Sequence, residues 1–224
     1  MLRPQVNLAR VSQTDRIVSQ SHRADAADNN NRRFSQAEFT RQLAQQPQSI
    51  GAITPSSRSL ARQVVVTANL SQAQTVVELG PGTGSFTEVI LNNLRSDAKF
   101  FALELNSTFV DATRKRCPGA CVYHDAASSL PARLRENKLS HADCVISSLP
   151  WTIFDAAEQD HILQAITDSL KPGGVFVSIV YLGAKFRSRG RYFIEHLDNH
   201  FSTVRHTPTV WQNLPPAQIY RCVK

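Results

Sequence analysis

No stretch of the sequence approaches the roughly 20 consecutive apolar residues that a membrane-spanning helix requires, so a spanning protein is not expected. Cysteine is scarce: Cys117, Cys121, Cys144 and Cys222 are all there are, and no two stand in C-x-x-C spacing. That leaves neither a zinc motif nor a disulfide framework to read, and it suits the reduced thiols of an intracellular protein. An N-terminal apolar segment of the secretory kind is missing, so a cytoplasmic location is expected rather than export. Acids are the minority charge, 18 against 25 Lys and Arg, for a formal net charge of +7. Such an imbalance suits polyanions, whether nucleic acid, anionic lipid or a phosphate-bearing substrate, without choosing among them.

Of the 224 residues, 42% are hydrophobic and 19% charged, which describes a folded chain with room for one domain and an extension. Residues 1–33 are polar, have no sustained apolar period and include Ala26-Ala27-Asp28-Asn29-Asn30-Asn31, so they read as a disordered tail. Arg3, Arg10, Arg16 and Arg23 mimic an organelle presequence, but Asp15, Asp25 and Asp28 interrupt it. A domain is expected over 34–224, with N-terminal helices over 34–70 and a core over 71–224. Phe34, Phe39 and Leu43, with Ala37 and Ala44, predict a helix over 34–46 ended by Pro47. A second helix starts after Pro55, capped by Ser56 or Ser57, and buries Leu60, Val64, Val65 and Ala68.

From there strands and helices alternate. β-rich runs at 75–79, 99–104, 120–124, 142–147 and 175–180 are separated by helical stretches at 85–94, 107–117, 127–135 and 155–170. Repeated βα units of this length imply an α/β fold: a parallel sheet with helices on both faces. Two final strands at 201–209 and 217–223, joined by a short Pro-containing link, are expected to pair antiparallel.

The strongest chemical signal is Val76-Val77-Glu78-Leu79-Gly80-Pro81-Gly82-Thr83-Gly84-Ser85-Phe86, a buried strand, a glycine turn and a helix start. The dinucleotide fingerprint G-x-G-x-x-G would need glycine where Ser85 stands. Glu78, two residues before the first glycine, would repel a pyrophosphate and favour a ligand with a positive centre. The second strand ends in Glu104, a carboxylate placed to accept ribose hydroxyls. The third ends in His124-Asp125-Ala126, with an acid placed to accept an adenine amine. Three acids at the carboxyl ends of three consecutive strands converge on the crevice where open α/β sheets bind ligands. His124 is assigned no role, and Asp143, at a strand's start, reads as structural.

These residues resemble the class I S-adenosylmethionine-dependent methyltransferases. The resemblance spans 74–224 and implies a Rossmann-like seven-stranded sheet whose last strand is antiparallel. It implies S-adenosylmethionine as cofactor, with Gly80, Gly82 and Gly84 against it, Glu104 on its ribose, and Asp125 with the Ala126 backbone on its adenine. No metal is called for, since a sulfonium already supplies the leaving group.

The fourth strand ends in Ser147-Ser148-Leu149-Pro150-Trp151, which looks like the [DNS]-[IL]-P-[YFW] signature of methyltransferases acting on amino nitrogen. A nucleophilic nitrogen must be aligned and must lose a proton. The Ser148 hydroxyl and nearby carbonyls can accept its N–H bonds, and Trp151 offers a face to a developing cation. Ser148, Leu149, Pro150 and Trp151 are therefore the candidate catalytic residues; a proline turn with a buried tryptophan is the plainer alternative.

Gly51-Ala52-Ile53-Thr54-Pro55-Ser56-Ser57-Arg58 and Asn213-Leu214-Pro215-Pro216-Ala217 extend the resemblance to the small bacterial phospholipid N-methyltransferases, over 34–223. That resemblance implies methylation of phosphatidylethanolamine towards phosphatidylcholine by a peripheral enzyme at an anionic inner membrane face, with no obligate protein partner. Arg58, Arg187, Arg189 and Arg191 are candidates for the lipid phosphate. The family lays a helix before G-A-x-x-P-S-S on the membrane; here 34–46 is rich in Gln and departs from a strongly interfacial helix. The rival is an rRNA-type adenine N6-methyltransferase, which shares both motifs and is kept open by the basic, aromatic run 185–193. Such enzymes add a helical C-terminal domain that is not expected after the last strand here, so nucleic acid ranks second. A catalytically silent cofactor-binding or membrane-associated module is the third reading, and the set of strand-tip acids counts against it.

Overall fold

The computed structural model describes residues 57–224; the tail, the helix expected over 34–46 and the segment 51–56 lie outside the described residues. The first described helix, α1 (Arg58–Ala68), is capped as its sequence dictates. The Ser57 Oγ accepts the Leu60 N–H at 3.1 Å, and Asn69 closes the helix in the left-handed region with φ 51°.

The core elements then follow in order: β1 (Thr75–Leu79), α2 (Ser85–Leu91), β2 (Lys99–Glu104), α3 (Ser107–Arg116), β3 (Val122–His124), α4 (Leu130–Glu136), β4 (Ala142–Ser147), α5 (Ala156–Ser169), β5 (Leu170–Tyr181), α6 (Ser188–His200), β6 (Thr203–His206) and β7 (Ala217–Val223). The seven strands form one sheet in the order β3-β2-β1-β4-β5-β7-β6, in which β7 runs antiparallel to both neighbours.

Alternation along the strands builds the core. Leu60, Ala61, Val64 and Ala68 of α1 pack with Val76 of β1, Cys144 and Ile146 of β4, Val175, Val177 and Ile179 of β5, and Ala217 and Ile219 of β7. The intervening Val77, Val145 and Phe176, in register with one another, are as fully buried. No helix among the described residues is long and apolar enough to cross a membrane.

Several boundaries differ from the sequence expectation. The third strand shortens from 120–124 to Val122–His124, and the sixth from 201–209 to Thr203–His206. The fifth lengthens to Leu170–Tyr181. The helical stretch expected at 127–135 is a 3-10 turn, Ala127–Ser129, followed by α4 with Pro131 in its first turn, where the missing N–H costs nothing. Helix α6 was not expected. It is broken in pattern by Gly190, where a Cβ would lie 2.1 Å from the Ala184 carbonyl oxygen, so only glycine lets the helix seat against the preceding turn.

Candidate active site

The strand order reverses direction between β1 and β4, and the carboxyl ends on either side of that point form the crevice of an open α/β sheet. Backbone bonds carry the register past the strand ends: Gly80 N–H to Leu103 O at 2.9 Å, Ser148 N–H to Leu79 O at 3.0 Å, and Asp125 N–H to Glu104 O at 3.0 Å. The glycine turn, Glu104, Asp125 and Ser148 are thereby brought to one edge.

Within the turn, Gly82 has φ +59° and a Cβ built there would meet nothing within 4 Å, so its bare backbone lines open space. Gly84, φ +78°, does the opposite job: a Cβ would press the Thr113 backbone of α3 at 3.3 Å. The turn is held from both sides. Glu104 Oε2 accepts the Gly82 N–H at 3.0 Å, and the Thr113 hydroxyl donates to the Gly82 carbonyl at 2.7 Å. The other Glu104 oxygen accepts the Asn106 N–H at 2.9 Å. Burial pushes the Glu104 carboxyl above its ordinary range despite these amides.

Glu78 is fully buried. It stands in register with Ile146, on the sheet face of the apolar cluster that holds Val76 and Ile146. Oε2 accepts the Thr87 hydroxyl at 2.7 Å, while Oε1 has no partner. Desolvation raises its pKa to about 8, the Thr87 bond opposes this, and the nearby charge of Glu104 adds to the rise. Two of the three expected acids thus converge beneath the glycine turn.

The third does not. Asp125 Oδ2 takes a two-pronged ion pair from Arg133 at 2.7–2.8 Å, and Oδ1 accepts both the Ala126 N–H and the Ser129 hydroxyl at 2.8 Å. All four acceptor positions of the carboxylate are taken, and the Ala126 amide is spent on it. The expectation that Asp125 and Ala126 offer free groups to an adenine is corrected on this point.

At the end of β4, Ser148 has a buried Oγ with no hydrogen-bond partner, and Leu149 leans on the glycine turn, its Cδ2 3.0 Å from where a Gly80 Cβ would stand. Pro150 closes the turn, its carbonyl accepting the Ile153 N–H at 2.9 Å. Trp151 is corrected: it is only 4% exposed, stacks on Phe193 at 4.1 Å, meets Phe154 and Phe176 edge-on, and donates Nε1–H to Ser178 at 3.0 Å. No face is left for a cation, so Trp151 is a packing residue, and the plainer sequence reading describes it. Trp151→Ala is expected to cost about 3–5 kcal/mol of folding free energy in urea unfolding.

Arg187, Arg189 and Arg191 are all exposed, and Arg189 also donates to the Ile153 carbonyl at 2.6 Å, tying α6 to the turn after β4. Arg58 begins α1, and its side chain lies outside the described residues. Sequence reasoning passed over Gln159 of α5, whose buried amide nitrogen reaches the carbonyls of Trp151 at 2.8 Å, Arg189 at 3.0 Å and Phe154 at 3.2 Å. Thr87, Thr113 and Arg133 were passed over as well; a polar residue at a buried helical position was the available signal.

Comparison with known proteins follows this geometry. The sequence profile of the family described as "Methyltransferase domain" matches residues 76–174. The ornithine lipid N-methyltransferase of Singulisphaera acidiphila is 29% identical over 176 residues, covering 77% of this chain and 88% of that protein. Ribosomal RNA small subunit methyltransferase A of Dehalococcoides mccartyi is 24% identical over 127 residues, 55% of this chain and 40% of that one. Among solved structures, the O-methyltransferase TomG from Streptomyces achromogenes, in complex with SAM, superimposes with a TM-score of 0.59 over 75% of this chain and 81% of its own, at 19% identity. That likeness establishes the fold.

Proposed function

We propose that this S-adenosylmethionine-dependent methyltransferase takes as its acceptor the primary amine of a lipid headgroup, foremost the ethanolamine of a phospholipid. The observation that carries this reading is the buried, unpartnered Ser148 hydroxyl beside the glycine turn, an acceptor poised for the N–H of an incoming amine. One relative, aligned over 88% of its length, is an ornithine lipid N-methyltransferase, and the net charge of +7 suits an anionic bilayer.

The residues fit an adenosyl sulfonium cofactor. Gly82 leaves space where any other residue would place a Cβ, Glu104 retains lone pairs beyond its two amide bonds, and Glu78 holds an orphaned carboxyl oxygen that a positive group would satisfy. Gly80, Gly82 and Gly84 would lie along the cofactor, Glu104 would take its ribose, and Glu78 would answer its positive charge from below. Asp125 and Ala126 would flank the adenine only if the Arg133 pair were exchanged for it. The cofactor supplies an electrophilic methyl group and its own leaving group.

The chain's own part is orientation. Ser148 accepts an amine N–H, which aims the nitrogen lone pair away from the hydroxyl. Leu149, the next residue, packs on Gly80 of the glycine turn. The amine must arrive neutral, and the secondary ammonium formed by methyl transfer then loses one of its two protons to water. Ser148→Ala is expected to lower kcat/KM about 10- to 100-fold with cofactor affinity unchanged, the signature of an interaction with the acceptor.

The deciding experiment incubates the full chain with methyl-labelled S-adenosylmethionine and either total bacterial lipid or total RNA. Label in the amino lipids is the expected result. Label confined to RNA would replace this reading with the rival one, RNA methylation; one relative is a ribosomal RNA small subunit methyltransferase.

A further inference from the structure

The loop 207–216 is folded inside out. Its polar Asn213 is buried, with Oδ1 accepting the Ser57 N–H at 2.9 Å and Nδ2 donating to the Pro215 carbonyl at 2.7 Å. Its large apolar residues point the other way: Trp211 is 70% and Leu214 75% exposed. A slack loop does not explain this, because its backbone is fastened by Val210 N–H to Ala217 O at 2.8 Å and Leu182 N–H to Pro216 O at 2.9 Å. A held loop that turns an amide inward and an indole outward is the informative violation of ordinary burial.

The bond from Leu182 joins this loop to the turn Leu182–Phe186 that follows β5, and that turn ends in the most exposed large apolar residue described, Phe186 at 83%. Since β7 runs antiparallel to β5, with Ala217 opposite Tyr181, both segments leave the sheet at the edge where β1 and β4 also end and where the glycine turn and Ser148 lie. Three of the four exposed large hydrophobics among the described residues therefore share one edge; Val66, on α1, is the other.

The chain flanking them is basic. Phe186 stands between Lys185 and Arg187, with Arg189 and Arg191 beyond. From Leu170 to Lys224 the sequence carries two acids, Glu195 and Asp198, both in the second half of α6. Aromatic and aliphatic tips set in an acid-poor basic surround match the boundary of an anionic bilayer, where apolar tips enter the acyl region and cations stay with the headgroups. An RNA surface has no use for Leu214, which offers no face for a base to stack on.

We infer that Phe186, Trp211 and Leu214 form the docking surface that seats this edge on anionic lipid, so that the acceptor turn faces the headgroups. The inference rests on the lipid reading above and locates it on residues other than the N-terminal helix of the sequence resemblance.

The test uses the full chain and two vesicle types, phosphatidylcholine alone and phosphatidylcholine with phosphatidylglycerol. Trp151 is already enclosed, so a fluorescence blue shift on adding vesicles reports Trp211. The expected result is a blue shift with the anionic vesicles only, together with co-sedimentation that falls at least tenfold in the triple variant Phe186→Ser, Trp211→Ser, Leu214→Ser. The variant's unfolding midpoint and cofactor affinity should match the parent. Equal sedimentation of parent and variant, the absence of a blue shift, or displacement from the vesicles by ribosomal RNA overturns the inference. Labelled lipid with unchanged sedimentation defeats the docking surface alone; normal docking without labelled lipid defeats the acceptor assignment alone.

Discussion

Replacing Glu104 by Gln should weaken S-adenosylmethionine binding about 100-fold in calorimetry, roughly 2–3 kcal/mol. The carboxylate does two jobs at once: its oxygens accept the Gly82 and Asn106 amides at 3.0 and 2.9 Å, and their remaining lone pairs are the acceptors proposed for the ribose. A Gln side chain keeps one acceptor oxygen and turns an NH2 group towards an amide that also donates, leaving one buried donor unsatisfied and the glycine turn unanchored. A charge-assisted bond is lost together with the shape of the turn. The apo protein should lose less stability than the complex loses affinity, because Thr113 still grips the Gly82 carbonyl at 2.7 Å. Equal losses in urea unfolding and in cofactor affinity would reduce Glu104 to a structural role.

Glu78 sets a pH dependence of comparable size. Its carboxyl titrates at about 8 in the folded chain against an ordinary value of 4.5, chiefly because it is desolvated among apolar neighbours. Between those two values the folded state holds a proton that the unfolded state has released. Stability is therefore greatest near the lower value and is lost as pH rises through the window, by up to about 1.4 kcal/mol per unit from this group. Urea unfolding between pH 5 and 8 should show a fall that Glu78→Gln removes, since the amide keeps the Thr87 bond without the charge. A positive group bound above Glu78 favours the ionised carboxylate, so cofactor binding near neutral pH should release a proton. Calorimetry in buffers of different ionisation enthalpy measures that release, and the variant should show less of it. An identical pH slope in parent and variant would mean that the carboxyl is already ionised in the fold.

Much of this architecture was legible because β1, β2, β4 and β7 are short, largely apolar runs, β1 ending at Gly80 and β7 starting after Pro216. The glycine turn was legible for the same reason, as its spacing reports backbone conformation directly. Helix α6 was hidden because its first turn is Ser188-Arg189-Gly190-Arg191, with a glycine that serves a contact to Ala184 formed only in the folded chain. Trp151 was misread since a strand-tip aromatic looks the same in sequence whether its ring meets solvent or Phe193, forty-two residues on. The ion pair of Asp125 was hidden for a related reason: its partner Arg133 is eight residues away on α4, and the chain between them, a 3-10 turn rather than continuous helix, decides whether the two side chains meet.

The amide of Gln159 joins the turn carrying Ser148 to the helix carrying Arg189 and Arg191 through the carbonyls it gathers. Helix and turn are thus tied through one side chain. On the lipid reading proposed above, Gln159→Ala would loosen the basic helix and the acceptor turn together, because one amide serves both.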